Sequence, residues 1–392
     1  MDRPLLNRRL AEFGTTIFAE MSALAVRTGA INLGQGFPDT DGPEEVREAA
    51  VRALRDGRGN QYPPGPGIPE LRTAVAAHQE RFYGHLGLSC DPDTEVLVTA
   101  GATEAIAASL LALLEPGDEV IALEPYYDSY AACIAMAGGT RVPVTLRPDP
   151  ESGSYALDLD ELRDAVTDRT RLILLNTPHN PTGTVLTRDA LAEVARLACE
   201  RELLVITDEV YEHLVFEGEH LPLASFPGMR ERTVTIGSAG KTFSFTGWKV
   251  GWVTATPELV GAVRSAKQFL TYVSAGPFQY AVAEALALPD SYYTGLRDDL
   301  RAKRDILATG LTDAGFQVFR PSGTYFITTD IRPLGFDDGF AFCRTLPERA
   351  GVVAIPNAVF YDHQDQGAPF VRFAFCKQEK TLLEAVTRLQ RL

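Results

Sequence analysis

The stretch Ser238-Ala239-Gly240-Lys241-Thr242-Phe243-Ser244-Phe245-Thr246-Gly247-Trp248-Lys249 sets an amine between a hydroxyl three residues earlier and a second cation eight residues later. A lysine amine forms a Schiff base with a carbonyl when its surroundings keep it neutral. A hydroxyl and a cation at this spacing suit the phosphate of pyridoxal phosphate, leaving Lys241 for its aldehyde. Two rival motifs fail. A phosphate-binding P-loop ending at Gly240-Lys241-Thr242 needs glycine at position 235, where Thr235 stands. Ser238-x-x-Lys241 matches a serine acyl-transferase pattern, but neither Ser-Asp-Asn nor Lys-Thr-Gly accompanies it.

Between about 95 and 255 the chain alternates short β-rich runs with helical patterns. The runs at 95–99, 119–123, 172–175, 203–207, 233–236 and 250–254 read as strands, and 102–114 and 187–201 as helices. Apolar runs of this length separated by helices predict a largely parallel sheet covered on both faces, an α/β core. From roughly 290 a charged helix pattern at 295–314, runs at 316–319, 324–328 and 370–375, and a helix near 338–350 predict a smaller α+β domain. The resulting division is an N-terminal arm joined to the small domain (1–40), a large cofactor-binding domain (41–290) and the small domain (291–392). Asn60–Gly67, rich in proline and glycine, reads as a loop.

Ligands of an open α/β sheet bind beyond the carboxyl ends of its strands, and five polar segments fall there. They are Gly101-Ala102-Thr103-Glu104, Glu124-Pro125-Tyr126-Tyr127, Asn176–Gly183, Asp208-Glu209-Val210-Tyr211 and Ser238–Lys241. Singly, each has an ordinary explanation: Thr103 or Asp208 as a helix cap, Tyr127 as a core aromatic, Asn180-Pro181 as a turn. Together they suit one aromatic, phosphorylated cofactor with an aldehyde to capture and a ring nitrogen to keep protonated.

The bulk properties exclude other classes. A net charge of −15 over 392 residues disfavours nucleic acid, and no basic run offsets it. Five cysteines are scattered without a C-x-x-C pair, which predicts reduced thiols and no zinc site. The first nine residues lack the apolar core of a signal peptide, and no apolar run reaches the roughly 18 residues of a membrane span. A cytoplasmic enzyme is expected.

Asn32–Asp39 (NLGQGFPD), Asn60-Gln61-Tyr62, Asn176–Gly183 (NTPHNPTG), Asp208–Tyr211 (DEVY), Ser238–Lys241, Gly247-Trp248-Lys249 and Val371-Arg372-Phe373 together carry a resemblance from about residue 10 onward. The chain resembles the fold-type I, class I/II pyridoxal-phosphate aminotransferases. Its wording is most similar to the branch of kynurenine, glutamine and methionine aminotransferases, and to N-succinyldiaminopimelate aminotransferases around Phe18–Leu24 and Gln61–Gly67. The resemblance implies a mostly parallel seven-stranded sheet, a homodimer, and ping-pong transfer of an amino group between an L-amino acid and a 2-oxoacid. Broad aromatic, glutamine and methionine donors are its first reading, with N-succinyl-LL-2,6-diaminopimelate as the alternative.

It also implies residue roles. Lys241 would hold the cofactor aldehyde and shuttle the substrate Cα proton, and Asp208 would pair with the ring nitrogen. Tyr211 and Asn180 would bond the ring oxygen and Tyr127 would stack on the ring. Ser238, Lys249, Gly101, Ala102 and Thr103 would hold the phosphate, with Tyr62 reaching the neighbouring subunit's cofactor. Arg372 would clamp the α-carboxylate with Asn180 and the Gly36 backbone. Phe18, Tyr126 and Phe360 are the aromatic candidates for a wall facing the side chain. Ser274-Ala275-Gly276 departs from the bulkier kynurenine/glutamine pattern and implies a roomier side-chain pocket. Two alternatives share the fold. A β-C–S lyase would use the same Lys241 and Asp208, whereas a DNA-binding regulator would need a basic domain ahead of motifs that begin by residue 32.

Overall fold

The computed structural model describes residues 5–14, 16–149 and 153–392; residues 1–4 of the segment read for a signal peptide lie outside these. A short strand β1 (Ile31–Asn32) pairs in parallel with β12 (Val352–Val353), so the N-terminal arm joins the C-terminal part. The large sheet comprises β2 (Val96–Thr99), β3 (Glu119–Glu124), β4 (Thr140–Asp149), β5 (Ser154–Leu157), β6 (Thr170–Asn176), β7 (Leu204–Asp208), β8 (Thr233–Ser238) and β9 (Gly251–Thr254). Their order is β2-β9-β8-β7-β6-β3-β4-β5. Strands β8 to β4 are parallel, and β9 runs antiparallel between β2 and β8. The sheet therefore contains the seven strands the resemblance implies, and β5 adds an eighth as the antiparallel return of β4.

Both faces of this sheet are apolar, as the unbroken hydrophobic runs require. Leu172 and Leu174 of β6 pack on one side with Ile106 and Leu110 of the helix Gly101–Leu113. Ile173 and Leu175 face the other side, with Leu191 and Val194 of the helix Arg188–Glu200. The strands run further than their apolar stretches. Backbone pairing continues through Asn176, Asp208 and Ser238, because a ladder bond depends on peptide groups and not on side-chain polarity.

A second, antiparallel sheet contains β10 (Gln317–Phe319), β11 (Phe326–Asp330), β13 (Ile355–Pro356) and β14 (Phe370–Ala374), in the order β10-β11-β14-β13. Its core takes in Met21 and Ala25 of the N-terminal helix Ile17–Thr28, together with Leu307, Phe342 and Leu382. The Ala374 N–H donates to Leu33 O at 2.7 Å, which lays the stretch Leu33–Gly36 beside β14.

One contact ties the Asn176–Gly183 loop to the second sheet. Gly183 has φ +73°, and a Cβ there would come within 2.1 Å of Pro321 Cβ, while Gly323 N–H donates to Gly183 O at 2.8 Å. Only glycine tolerates both the left-handed backbone and the close approach. Gly183→Ala is expected to lower stability by about 2 kcal/mol or more, a strain of backbone and overpacking combined. Thermal unfolding measures it; an unchanged midpoint would show that the loop relaxes away from Pro321.

Candidate active site

Strand register assembles the site. Gly251 pairs with Thr99 on one side and Ser238 on the other, so the residues just beyond these three ends converge. On the adjoining strands Asn176 lies opposite Asp208, and Asp208 opposite Ile236. Between this edge and the second sheet lies a cleft of about 330 Å³. Every cofactor- and carboxylate-binding residue implied by the resemblance lines it except Tyr62, and so does Phe18, whereas Tyr126, Phe360 and Ser274–Gly276 do not.

One end is suited to an anion. The N-terminus of the helix Gly101–Leu113 opens here with Gly101, Ala102 and Thr103, whose free N–H groups and helix dipole favour negative charge. Gly101 has φ +73°, and a Cβ on it would sit 3.3 Å from Lys249 Nζ, so the missing side chain leaves that ammonium room. Ser238 Oγ caps the short helix Ala239–Thr242, accepting from Gly240 N–H at 3.2 Å.

The middle of the cleft holds Asp208 and Lys241. Tyr130 OH donates to Asp208 Oδ2 at 2.6 Å, and Asn176 Nδ2 donates to Asp208 O at 2.8 Å. Burial raises Asp208 above the usual carboxylate range, against the pull of Tyr130, the Val210 N–H and Lys241. Burial likewise lowers the Lys241 amine below its ordinary value, opposed by Cys376 and Asp208 and reinforced by Arg372 and Lys249. Its Nζ lies 5.6 Å from the ring centroids of Tyr211 and Tyr325. Tyr127 stands edge-on to Tyr130 at 5.8 Å.

At the far end Arg372, on β14, is 1% exposed. Its Nη1 donates to Asn180 Oδ1 at 2.9 Å and its Nη2 to Gly34 O at 3.0 Å, while Nε is buried without a partner. The guanidinium packs over Phe326 at 4.1 Å and near Phe360 and Phe18. No carboxylate among the described residues forms an ion pair with it, and burial lowers it to about 10. A buried cation without a counter-ion marks a place for a carboxylate ligand. Asn180 N–H donates to Asn176 Oδ1 at 2.7 Å, so one amide side chain links the Asp208 end to the Arg372 end.

The donor set fits pyridoxal phosphate. It offers cation, hydroxyl and helix N-terminus for a phosphate, a lysine amine for an aldehyde, an aromatic face, and a buried carboxylate for a ring nitrogen.

Tyr62 lies elsewhere. It is 83% exposed, edge-on to Tyr272 at 5.8 Å, beside a shallow depression shared with Gly59 and Ser274–Gly276. The stretch Ser274–Gly276 therefore does not line the cleft of its own chain. Tyr126, a candidate wall from its sequence position, is also absent from the lining and instead bonds Asp362 Oδ2 at 2.7 Å. Sequence reasoning missed Tyr130, Gln35 and Phe326. Tyr130 follows Tyr127 by three residues and so shares its helix face, but its type alone does not separate it from a core aromatic.

Residues 28–389 match the family described as aminotransferase class I and II. The solved structure of the N-succinyldiaminopimelate aminotransferase of Mycobacterium tuberculosis superposes with a TM-score of 0.95 at 56% identity, covering 98% of this chain and 99% of that one. The methionine aminotransferase of Escherichia coli is 40% identical over 397 residues, covering 100% of both chains. The kynurenine–oxoglutarate transaminase of Dictyostelium discoideum is 38% identical over 420 residues, covering 98% of this chain and 96% of its own.

The cost of burying Asp208 is measurable. Its folded-state affinity for a proton exceeds that of the unfolded chain, so it loses stability as pH rises through the carboxylate range. Asp208→Asn is expected to stabilise the cofactor-free protein by about 1 kcal/mol at pH 7, and by less near pH 4. Denaturant titrations at the two pH values test this; a destabilised variant at pH 7 would mean that the charge is fully compensated by its partners.

Proposed function

The chain belongs to the class I and II aminotransferases, and we propose that its cleft carries out their reaction with the residues named above. It is a pyridoxal-phosphate-dependent transaminase acting on amino-acid and 2-oxoacid substrates. The observation that carries the assignment of roles is the junction of Lys241, Asp208 and an unpaired, buried Arg372 in one cleft.

Bound pyridoxal phosphate supplies an electron sink conjugated to the substrate α-carbon. In our reading Ser238, Lys249, Gly101, Ala102 and Thr103 hold its phosphate, Tyr127 covers its ring, and Tyr211 with Asn180 bonds the ring oxygen. Asp208 keeps the ring nitrogen protonated, its own charge steadied by Tyr130. Lys241 would hold the aldehyde end of the cofactor, and its amine would take and return the proton at the substrate Cα. Its depressed basicity suits both tasks, since a neutral amine is needed for each. Arg372 receives the α-carboxylate, with Asn180 and the Gly36 backbone beside it, and Phe18 faces the side chain.

Tyr62 and Ser274–Gly276, both outside the cleft, are assigned to the cleft of a second copy, which makes the working unit a homodimer. We read residues 41–290 as the cofactor-binding domain, with 1–40 and 291–392 forming the other. Free cysteines fit a cytoplasmic location, and among the described residues no helix is long and apolar enough to cross a membrane.

For the donor we favour N-succinyldiaminopimelate, supported by the 56% identity to a Mycobacterium tuberculosis enzyme of that name over nearly the whole chain. A second reading, broad use of methionine, glutamine and aromatic donors, is supported by the Phe18, Phe37 and Phe326 wall. The kcat/KM values for N-succinyl-LL-2,6-diaminopimelate, methionine, glutamine and kynurenine separate the two. The first reading expects at least a hundredfold preference, about 2.7 kcal/mol, for the succinylated donor. Pyruvate and thiol release from cystathionine reports any β-lyase activity.

Two variants test the roles. Lys241→Ala should lose the visible absorption of the cofactor-loaded protein together with its turnover; a retained band would move the Schiff base to another lysine. Arg372→Lys keeps charge but loses two-pronged geometry, so kcat/KM should fall for all donors by a similar factor, about a hundredfold or about 2.7 kcal/mol. A loss confined to one donor would show that Arg372 reads the side chain.

A further inference from the structure

Behind the catalytic strand lies a second polar cluster that the transamination chemistry does not use. Strand β7 ends at Asp208, and the turn after it carries Glu209, Glu212 and His213. These meet His78 and Tyr83 of the helix Pro69–Tyr83, which precedes the large sheet in the chain. His78 Nε2 and His213 Nε2 face each other at 2.8 Å, and one Glu212 oxygen lies 3.9 Å from His213 Nε2. The three potential ligand atoms all fall within 4.8 Å of one another. Tyr83 OH donates to the other Glu212 oxygen at 2.6 Å and so holds the carboxylate in orientation.

Two independent observations point to a ligand here. A small cavity of about 30 Å³, room for a single ion or water, is lined by His78, Glu212, Glu209 and Tyr83, with His213 just outside its lining. Glu209, whose side chain is only 4% exposed, lines that cavity, and its Oε1 has no hydrogen-bond partner. Charge adds to this. Glu209 is buried and Glu212 partly so, and among the described residues neither forms an ion pair with a lysine or arginine. Their basic neighbours are His220 and His213, and burial pushes the His213 imidazole well below its usual range. Two carboxylates in a dry site call for positive charge.

We propose that His78, Glu212 and His213 bind a divalent transition-metal ion of the zinc type, with Glu209 or a water completing four-coordination. Two imidazoles and a carboxylate are a ligand set such ions take, with metal–ligand distances of about 2.0–2.2 Å. Ligands around a tetrahedral ion at those distances stand about 3.3 Å apart, so the imidazoles must separate slightly and Glu212 must close in. The proton now shared between the two Nε2 atoms must leave that position, each ring keeping a single N–H on Nδ1. The bond from Tyr83 to Glu212 then becomes an outer support for a metal ligand. Sequence spacing hides this set, because His78 and His213 lie 135 positions apart.

The test uses the cofactor-loaded protein, stripped of adventitious metal by chelator and titrated with Co²⁺. One Co²⁺ per chain is expected, with d–d bands of a nitrogen/oxygen tetrahedral site, no thiolate charge-transfer band, and a raised thermal midpoint. His213→Gln and Glu212→Gln should each weaken binding at least about tenfold. Because either variant could fail to fold, the wild-type protein supplies a second readout: Co²⁺ should shift the imidazole resonances of His78 and His213 and leave those of the exposed histidines in place. Absence of stoichiometric binding, binding that both folded variants retain, or paramagnetic shifts confined to other histidines would overturn the proposal.

Discussion

The position of strand β9 decides whether this molecule has a cleft at all. It runs against the direction of its neighbours and pairs with both of them along its whole length, with Gly251 at the site end between Thr99 and Ser238. A Cβ on Gly251 would lie 2.7 Å from the Gly101 carbonyl carbon, so the start of the long helix rests directly on that backbone. Lys249, in a left-handed conformation two residues earlier, is thereby turned toward Gly101. A one-residue slip of β9 would reverse its side chains across the sheet and carry Lys249 away from Ser238 and Thr103. Anion end, amine and carboxylate depend together on this single register.

Around that frame the electrostatics are arranged at a cost. Half-buried Lys241 shares one cleft with buried Arg372 and Asp208, and desolvation shifts each toward its neutral form. A folded chain built only for stability would replace such groups with apolar ones. Their retention makes sense when ligands bring the missing charges: a phosphate for the cationic end, a ring N–H for Asp208, a carboxylate for Arg372. The aromatic rings around Arg372 serve the same end. They exclude water, which strengthens the eventual ion pair, without themselves neutralising the guanidinium.

Much of this was legible in the sequence because short polar segments follow apolar runs, and the sheet brings run-ends together. The α/β core, the second sheet and the lining residues of the five run-end segments follow from that pattern, whereas Gly36 and Arg372 come from the family resemblance. What escaped has physical reasons. Strands β6, β7 and β8 extend into Asn176, Asp208 and Ser238, since peptide bonding ignores the hydrophobic count that marks a strand in sequence. At this sheet edge strand β4 carries arginine and proline and β5 is only four residues long, so neither has a clear apolar signature. Tyr130 looks like any core aromatic until its hydroxyl is seen on Asp208. Ser274–Gly276 departs visibly from a known pattern, yet the fold sets it outside its own cleft, beside Tyr62, which no linear reading of pocket size foresees.

Asn176 has a further consequence. Its one amide receives from Asn180 and donates to the Asp208 carbonyl, so the two ends of the cleft are gauged by a rigid planar group. With the roles proposed for Asp208 and Arg372, the span between ring-nitrogen partner and carboxylate clamp would be a built-in ruler set by the fold. Every donor would then present the same short stretch of backbone atoms to it, and variation among donors would fall past Phe18 and Phe37. On that reading, one scaffold of this kind could serve donors of quite different side chain.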